Sequence, residues 1–291
     1  MDNSTQFIDQ YLTAQELNDY QHPPAVTGIE AIGRALIFDY PIKGFIKYAC
    51  RVFANLIGRG YKQHLMVVGN EAGAILAALL AVGYSPGEII ELLASGQLDV
   101  VDLVEGKTKI RGKSHKQVHG ADHKGHRLAE RIEELAQAKL GFPGDREVLL
   151  VDLIKMPLHI TALDETTNAV VTLNKSTYPH MRLAEAVLAS CAVQPYIYRV
   201  EYTGSEKVTH KFFSCSTVHS LPLDTAVEEY TKLKLTAPLQ KFLVAYGCKD
   251  MMADVTKKRS KDSKGAYQET IQNMRAKAIV GGTYSPNVRL Y

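Results

Sequence analysis

The sequence contains no tryptophan and only four cysteines among its 291 residues. The cysteines lie far apart, without a CxxC pair or the spacing of metal ligands, which excludes a disulfide-stapled scaffold and a zinc finger. We expect them to be reduced thiols, as in the cytoplasm. A large excess of one charge is also missing, since the formal net charge is +3. So small a charge gives no general reason to expect a nucleic acid partner.

Long hydrophobic runs are absent as well. The longest apolar stretch, residues 72–82, is too short to cross a bilayer. The first 24 residues are polar and acidic, without the basic and apolar regions of a signal peptide. We therefore expect a cytoplasmic protein without a membrane span, although a secreted effector or a virus-encoded protein would share these features.

What the sequence does contain is an alternation of buried-strand and amphipathic-helix patterns. Hydrophobic residues make up 46% of the chain, enough for a sizeable core. The patterns predict strands at residues 35–38, 64–68, 147–153, 159–163, 169–173, 211–213 and 241–246. Helices are predicted between them, among others at residues 45–56, 74–82, 128–140 and 183–190. This order predicts an α/β fold of three layers, α/β/α, around a mostly parallel sheet.

One strand–turn–helix unit has the pattern of a nucleophile elbow. The predicted strand 64–68 runs through Gly69-Asn70-Glu71-Ala72-Gly73 directly into the helix 74–82. In such an elbow, glycines two positions on either side make room for a central residue held in a strained conformation. Two glycines alone are equally compatible with an ordinary turn. The centre here is Glu71, where a hydrolase needs a serine.

The segments around this unit carry longer and more specific patterns. The run that begins at Gly73, GAILAALLAVGYSPGEIIELL, resembles the run that follows the G-T-S-A-G motif in the patatin-like phospholipase family. The segment 183–195, LAEAVLASCAVQP, is similar to the patatin segment L-A-E-A-V-x-A-S-x-A-x-P. The resemblance covers residues 35–246 and implies the patatin-like sandwich and an origin in lipid acyl hydrolysis.

The same resemblance implies that the hydrolytic residues have been replaced. Glu71, between Gly69 and Gly73, stands where patatins have the nucleophilic serine. Ser214 stands at the position of the aspartate in the D-G-G motif. The glycine-rich oxyanion loop, G-G-G-x-K-G, is matched by the segment Asp39-Tyr40-Pro41-Ile42-Lys43-Gly44. Of that loop only Lys43 and Gly44 are kept, so we expect no intact catalytic residue.

Three functions follow from this comparison as hypotheses. The first is a patatin-like protein that acts by binding, as an assembly subunit or a partner-recruiting module. The second is an acyl hydrolase with a displaced nucleophile, Cys215 or Ser216 with His219. Glu71 could itself be a nucleophile, but the helix that follows would stabilise its carboxylate and lower its basicity. We therefore favour a role for Glu71 in capping that helix and in repelling anionic head groups.

The third hypothesis is an anionic lipid surface bound by a basic loop. Residues 107–127 contain seven Lys or Arg, of which the binding candidates are Lys107, Lys109, Arg111, Lys113 and Lys116. A solvated loop is the more frequent meaning of such a run, and the lack of interleaved aromatics gives no support to nucleic acid. Four histidines share the segment, His115, His119, His123 and His126. Their lysine-rich surroundings argue against a metal site, and we expect neither a metal nor another cofactor.

The chain divides into three predicted regions. Residues 1–30 form an N-terminal extension, residues 31–250 the patatin-like domain, and residues 251–291 a basic segment with a helix and a terminal arm. The arm would dock either on a neighbouring subunit or on its own chain. We expect a protein partner or self-association.

Overall fold

The computed structural model describes residues 3–24, 34–60, 64–105, 125–193, 197–216, 222–233, 243–247 and 287–290. The strands are β1 (Arg34–Tyr40), β2 (His64–Glu71), β3 (Leu158–Asp164), β4 (Ala169–Leu173), β5 (Val200–Thr203), β6 (Thr209–Phe213), β7 (Leu243–Gly247) and β8 (Asn287–Leu290). The helices are α1 (Asn3–Asp9), α2 (Ala14–Gln21), α3 (Phe45–Gly58), α4 (Gly73–Val82), α5 (Pro86–Ala94), α6 (Val100–Glu105), α7 (His126–Leu140), α8 (Leu183–Cys191) and α9 (Leu223–Lys232).

The eight strands form one mixed sheet. Its order is β5-β6-β3-β2-β1-β7-β8, and β4 pairs with β3 beside this path. The central pairs β3–β2, β2–β1, β1–β7 and β7–β8 are parallel, whereas β4, β5 and β6 join by antiparallel pairing. Parallel strands need crossover connections, and helices α3 and α4 are parts of them. The predicted mostly parallel sheet is confirmed.

Helices cover the sheet on both faces. In β1 alternate side chains point to opposite faces, so Leu36 and Phe38 join the main core with α3, α4 and α8. Ala35 and Ile37 join a smaller cluster that α9 covers through Ala226 and Tyr230. The three-layer α/β/α arrangement predicted from the sequence is therefore present.

Helix α4 is the central element of the main core. All ten of its residues are buried, and it carries apolar side chains around its whole circumference. It ends at Gly83, whose φ of +111° is a left-handed conformation that suits glycine. Because only Ala72 separates β2 from α4, the buried helix fixes the position of the turn at the end of β2.

The prediction of a strand at residues 147–153 is wrong. Leu149 makes only an isolated bridge to Arg182, and Leu150–Asp152 form a short 3-10 helix. The Asp152 carboxylate closes this turn by accepting the Leu149 N–H at 2.9 Å. Val151 within the run is 44% exposed although Val148 and Leu150 are buried, so the run as a whole is not a buried strand.

The terminal regions contact the rest of the fold. Ile8 of α1 is fully buried in the main core, and Glu16 of α2 lies 2.7 Å from the Arg51 guanidinium. Residues 287–290 form β8 on β7 of the same chain. This observation places part of the predicted arm on its own chain, whereas the helix predicted in residues 251–291 lies outside the described residues. The predicted domain boundaries stay a prediction.

In the parts of the chain that the structure describes, no helix is long and apolar enough to cross a membrane.

Candidate functional site

The turn between β2 and α4 holds Glu71 in a left-handed conformation. Its φ is +52°, an uncommon value for a residue with a side chain. A Cβ on Gly69 would lie closer than 3.0 Å to the Ala74 backbone, and one on Gly73 equally close to the Phe38 carbonyl group. Both glycines are therefore required by the close approach of α4 to the sheet.

The backbone of Glu71 is fixed by helix α8. Its N–H donates to the Ser190 hydroxyl at 2.9 Å, and that hydroxyl donates to the Thr161 carbonyl at 2.8 Å. The Cys191 thiol donates to the Glu71 carbonyl at 3.1 Å. These contacts join the turn to β3 and α8 and hold the strained residue in place.

The Glu71 side chain is 5% exposed and turns back toward the end of β1. Its carboxylate accepts hydrogen bonds from the Ser216 hydroxyl and from the Ile42 backbone N–H. Ile42 belongs to the segment between β1 and α3, which the resemblance aligned with the oxyanion loop. The carboxylate thus connects the turn to that loop and to the segment after β6.

A second carboxylate, that of Asp39, lies beside Glu71. Asp39 is 4% exposed and pairs in register with Asn70, whose side-chain amide donates to it at 2.9 Å. Burial, and next the negative charge of Asp39, raise the pKa of Glu71 from 4.5 to about 7, although the two hydrogen bonds act in the opposite direction. The expectation that the helix start would lower the basicity of Glu71 is wrong, because burial outweighs it.

Asn70 organises the floor of the site. Its side-chain oxygen accepts from the Thr161 hydroxyl at 3.0 Å and from the Cys215 thiol at 3.2 Å. With its amide donating to Asp39, Asn70 ties β1, β2, β3 and the segment after β6 together. All of these groups are buried, so the network is well satisfied and rigid.

The segment after β6 brings Ser214, Cys215 and Ser216 to this network. The Ser214 hydroxyl donates to the Ser216 oxygen at 3.1 Å, so Ser214 reaches Glu71 through Ser216. Cys215 is fully buried, and burial raises the pKa of its thiol to about 11. A thiol of this kind is a poor nucleophile.

Lys43 and Gly44 are exposed and directly follow the buried Ile42. Gly44 is the residue before α3, and its φ of +88° requires glycine. A Cβ there would also lie 3.0 Å from the hydroxyl of Tyr40. The conformation of the loop explains Gly44 without reference to catalysis.

Several predicted site residues lie outside the described residues. They are Lys107, Lys109, Arg111, Lys113 and Lys116 of the basic loop, three of its histidines, and His219. The fourth histidine, His126, begins α7 and lies 3.4 Å from the Glu130 carboxylate. In the described ranges no group of three or more His, Cys, Asp or Glu side chains is arranged to hold a metal ion.

Sequence reasoning missed Asp39, Asn70, Thr161 and Ser190 as members of the site. Asp39 and Asn70 directly follow the apolar parts of two adjacent parallel strands, and this position is a signal for a site at the end of a sheet. Thr161 and Ser190 lie within a strand and a helix, where the sequence carries no such signal.

Comparison with known proteins places this geometry in a family. The model of the patatin-like phospholipase family matches residues 44–227. A search of the curated proteins finds no match. Among solved structures the chain is similar to VipD from Legionella pneumophila, with 14% identity, a TM-score of 0.46, and coverage of 85% of this chain and 55% of VipD.

A second similar structure is full-length SpcU in complex with full-length ExoU, from the type III secretion system of Pseudomonas aeruginosa. The identity is 18% and the TM-score 0.39, with coverage of 55% of this chain and 38% of that chain. The chain thus spans less than two thirds of the length of either structure. Since the family model matches more than half of its residues, the chain belongs to the patatin-like phospholipase family.

Proposed function

We propose that this family member does not hydrolyse lipids and acts by binding, as an assembly subunit or a partner-recruiting module. One observation carries the proposal: the Glu71 carboxylate accepts the Ile42 N–H and the Ser216 hydroxyl at the centre of the β2–α4 turn. The group that should attack a substrate is thus an acceptor held by neighbouring donors. A carboxylate so engaged is not presented to an acyl carbon.

The oxyanion loop supports the same proposal. Hydrolysis of an ester needs backbone N–H groups directed at the oxygen on which charge develops. The Ile42 N–H is used by Glu71, and Pro41 has no N–H to donate. The Glu71 side chain therefore occupies the N–H group that a developing oxyanion would need.

The missing general base is a third support. Ser214 stands where the family has its aspartate, and its hydroxyl contacts Ser216 rather than the turn. A neutral hydroxyl cannot accept the proton of a nucleophile at neutral pH. Nucleophile, base and oxyanion donors are therefore altered together.

A second candidate function is acyl hydrolysis by Ser216, with Glu71 as its base. The observation that favours it is the hydrogen bond between the two side chains, together with a pKa of about 7 for Glu71. A base with such a pKa is suited to proton transfer near neutral pH. Against it, Ser216 is only 8% exposed, and the amide that would stabilise an oxyanion is occupied.

Hydrolysis of a short-chain nitrophenyl ester and of a fluorogenic phospholipid tests both candidates. We would compare the wild type with Ser216→Ala, with the matched neighbour Ser214→Ala, and with Glu71→Gln. The proposal expects all four proteins to match buffer. Turnover lost in Ser216→Ala and kept in Ser214→Ala would establish the second candidate instead. Turnover lost only in Glu71→Gln would establish carboxylate chemistry.

The binding role itself is tested by mass measurement in solution. Static light scattering of the purified protein would detect self-association, which the assembly-subunit form of the proposal expects. The basic loop remains a third candidate surface, and co-sedimentation with anionic vesicles at increasing salt examines it. Binding that changes neither with the charge of the lipid nor with the salt concentration would rule out that surface. Location in the cytoplasm stays a prediction.

A further inference from the structure

A cavity separate from the Glu71 site lies between β4, the β5–β6 hairpin and helix α9. Its volume is about 520 Å³, within the range of roughly 300–1,000 Å³ typical of sites for small molecules. Its lining residues come from all three elements, and none of them contacts Glu71 in the described part of the chain. The cavity is open, and polar and apolar surface line it in comparable amounts, so both charge and aromatic faces act on its contents.

Aromatic rings form one side of the cavity. Tyr178 and Tyr202 both line it, with ring centroids 5.9 Å apart and ring planes 78° apart. Because the two ring planes are nearly perpendicular, the rings form a corner, called here the tyrosine corner. His210 also lines the cavity, edge to face with Tyr178 at 5.9 Å. The negative faces of tyrosine rings attract cations.

This aromatic side is fixed by a buried carboxylate. The His210 ring nitrogen Nδ1 lies 2.9 Å from the Asp164 carboxylate, which is fully buried. Asp164 also accepts the Thr166 N–H at 3.0 Å and the Thr167 hydroxyl at 2.9 Å. The His210 ring, against which Tyr178 packs, is therefore held in place before a ligand binds.

Carboxylates also line the cavity: Glu228 and Glu229 lie on α9, and Glu206 lies in the turn between β5 and β6. Lys232 of α9 is the cation among these four charged residues. The Lys232 ammonium lies 2.9 Å from Glu228 and 2.7 Å from Glu229. Three carboxylates against one ammonium leave two negative charges. The α9 side of the cavity already binds one ammonium group, that of Lys232. The net negative charge of the lining would repel an anion.

From this combination we infer that the cavity binds a small organic cation, with an ammonium or guanidinium group placed between the tyrosine corner and the glutamates. The aromatic faces and the excess negative charge act on the same group, and the volume accommodates a molecule of amino-acid size. Lys232 competes for the same carboxylates. A ligand therefore gains affinity when Lys232 is removed.

Choline is the probe for this inference, and calorimetric titration is the measurement. Its control is 3,3-dimethylbutan-1-ol, which has nearly the same shape and no charge. We expect saturable choline binding with a dissociation constant below about 10 mM, weakening with salt, and no binding of the neutral alcohol. Equal binding of the two molecules, binding of neither, or preferential binding of acetate would overturn the inference.

Paired variants test the roles of the two sides. Glu228→Gln should weaken choline binding by about three- to tenfold, whereas Lys232→Gln should strengthen it by a similar factor. Tyr202→Phe keeps the ring and should bind as the wild type does, but Tyr202→Leu should lose about tenfold. Circular dichroism and the melting temperature confirm that each variant is folded. If both charge variants weaken binding equally, the inference is wrong.

The cation could come from solution or from a lipid head group. Phosphatidylcholine vesicles added in the same titration separate these sources. Vesicles that compete with free choline assign the cavity to a head group, and vesicles without effect assign it to a free molecule. The inference does not depend on the fate of Glu71, since the two sites share no residue among those described.

Discussion

Replacing Glu71 by glutamine removes one buried charge and preserves the shape of the side chain. The glutamine oxygen still accepts the Ile42 N–H and the Ser216 hydroxyl, and its amide group can donate to Asp39. In the wild type the two carboxylates repel each other at neutral pH, since Asp39 raises the pKa of Glu71. We therefore expect Glu71→Gln to stabilise the protein, in contrast to most substitutions of buried residues.

The pKa of Glu71 sets the magnitude and the pH window. An acid whose pKa rises from 4.5 in the unfolded chain to about 7 in the folded one costs folding roughly 3 kcal/mol once it is ionised in both states. Between these two values the folded state holds the extra proton, so stability falls as the pH rises. The gain of Glu71→Gln should be near zero at pH 4.5 and reach roughly 3 kcal/mol at pH 8.

Urea unfolding at several pH values between 4.5 and 8.5 measures this difference. Burial lowers the pKa of His159, which makes stability rise with pH in the acid range and masks the slope of the wild type alone. Subtracting the wild-type curve from the variant curve removes that contribution. Glu91→Gln, on the exposed side of α5, is the matched control for the same chemical change at the surface. A flat or negative difference for Glu71→Gln would refute the reasoning.

Three further predictions follow from the same site. Gly73→Ala should cost about 3 kcal/mol or more in urea unfolding, because its Cβ meets the backbone of β1, whereas Gly87→Ala has open space and should be neutral or slightly stabilising. Cys215 should stay unlabelled by a maleimide in the native protein and react in urea, as peptide mass spectrometry can follow; rapid native labelling would contradict its burial. The double variant Glu71→Ser with Ser214→Asp should still fail to hydrolyse nitrophenyl esters, since it frees only the Ile42 N–H and Pro41 still has no N–H to donate; substantial turnover would show that the loop is competent.

The alternation of strands and helices could be predicted because it depends on local patterns. The β2–α4 unit was predicted from a short apolar run, two glycines and an apolar helix, and the structure has that unit at residues 64–82. The run at 147–153 has the same apolar character but contains a 3-10 turn at Leu150–Asp152, which the Asp152 carboxylate closes by accepting the Leu149 N–H. Apolar content alone does not distinguish these cases.

The electrostatics of the site could not be predicted from the sequence. Position in the chain placed Glu71 at a helix start, which lowers the pKa of a carboxylate. The opposite result comes first from burial of Glu71 in the folded protein. The second cause is the charge of Asp39, which is 32 residues away in the chain and becomes a neighbour only through the pairing of β1 with β2. Asn70, Thr161 and Cys215 likewise meet only in the folded sheet.

The two glycines of the β2–α4 turn have a structural role that does not depend on catalytic activity. Gly69 and Gly73 are required by the distance between α4 and the sheet, whatever residue lies between them. The central position requires only a residue that tolerates a φ of +52°, and Glu71 does so because Ser190 and Cys191 hold its backbone. A chain of this family can therefore lose its nucleophile and still need both glycines to fold. The G-x-x-x-G pattern is therefore evidence for the close packing of α4 against the sheet. Only the central residue and the hydrogen-bond donors around it are evidence for or against catalysis.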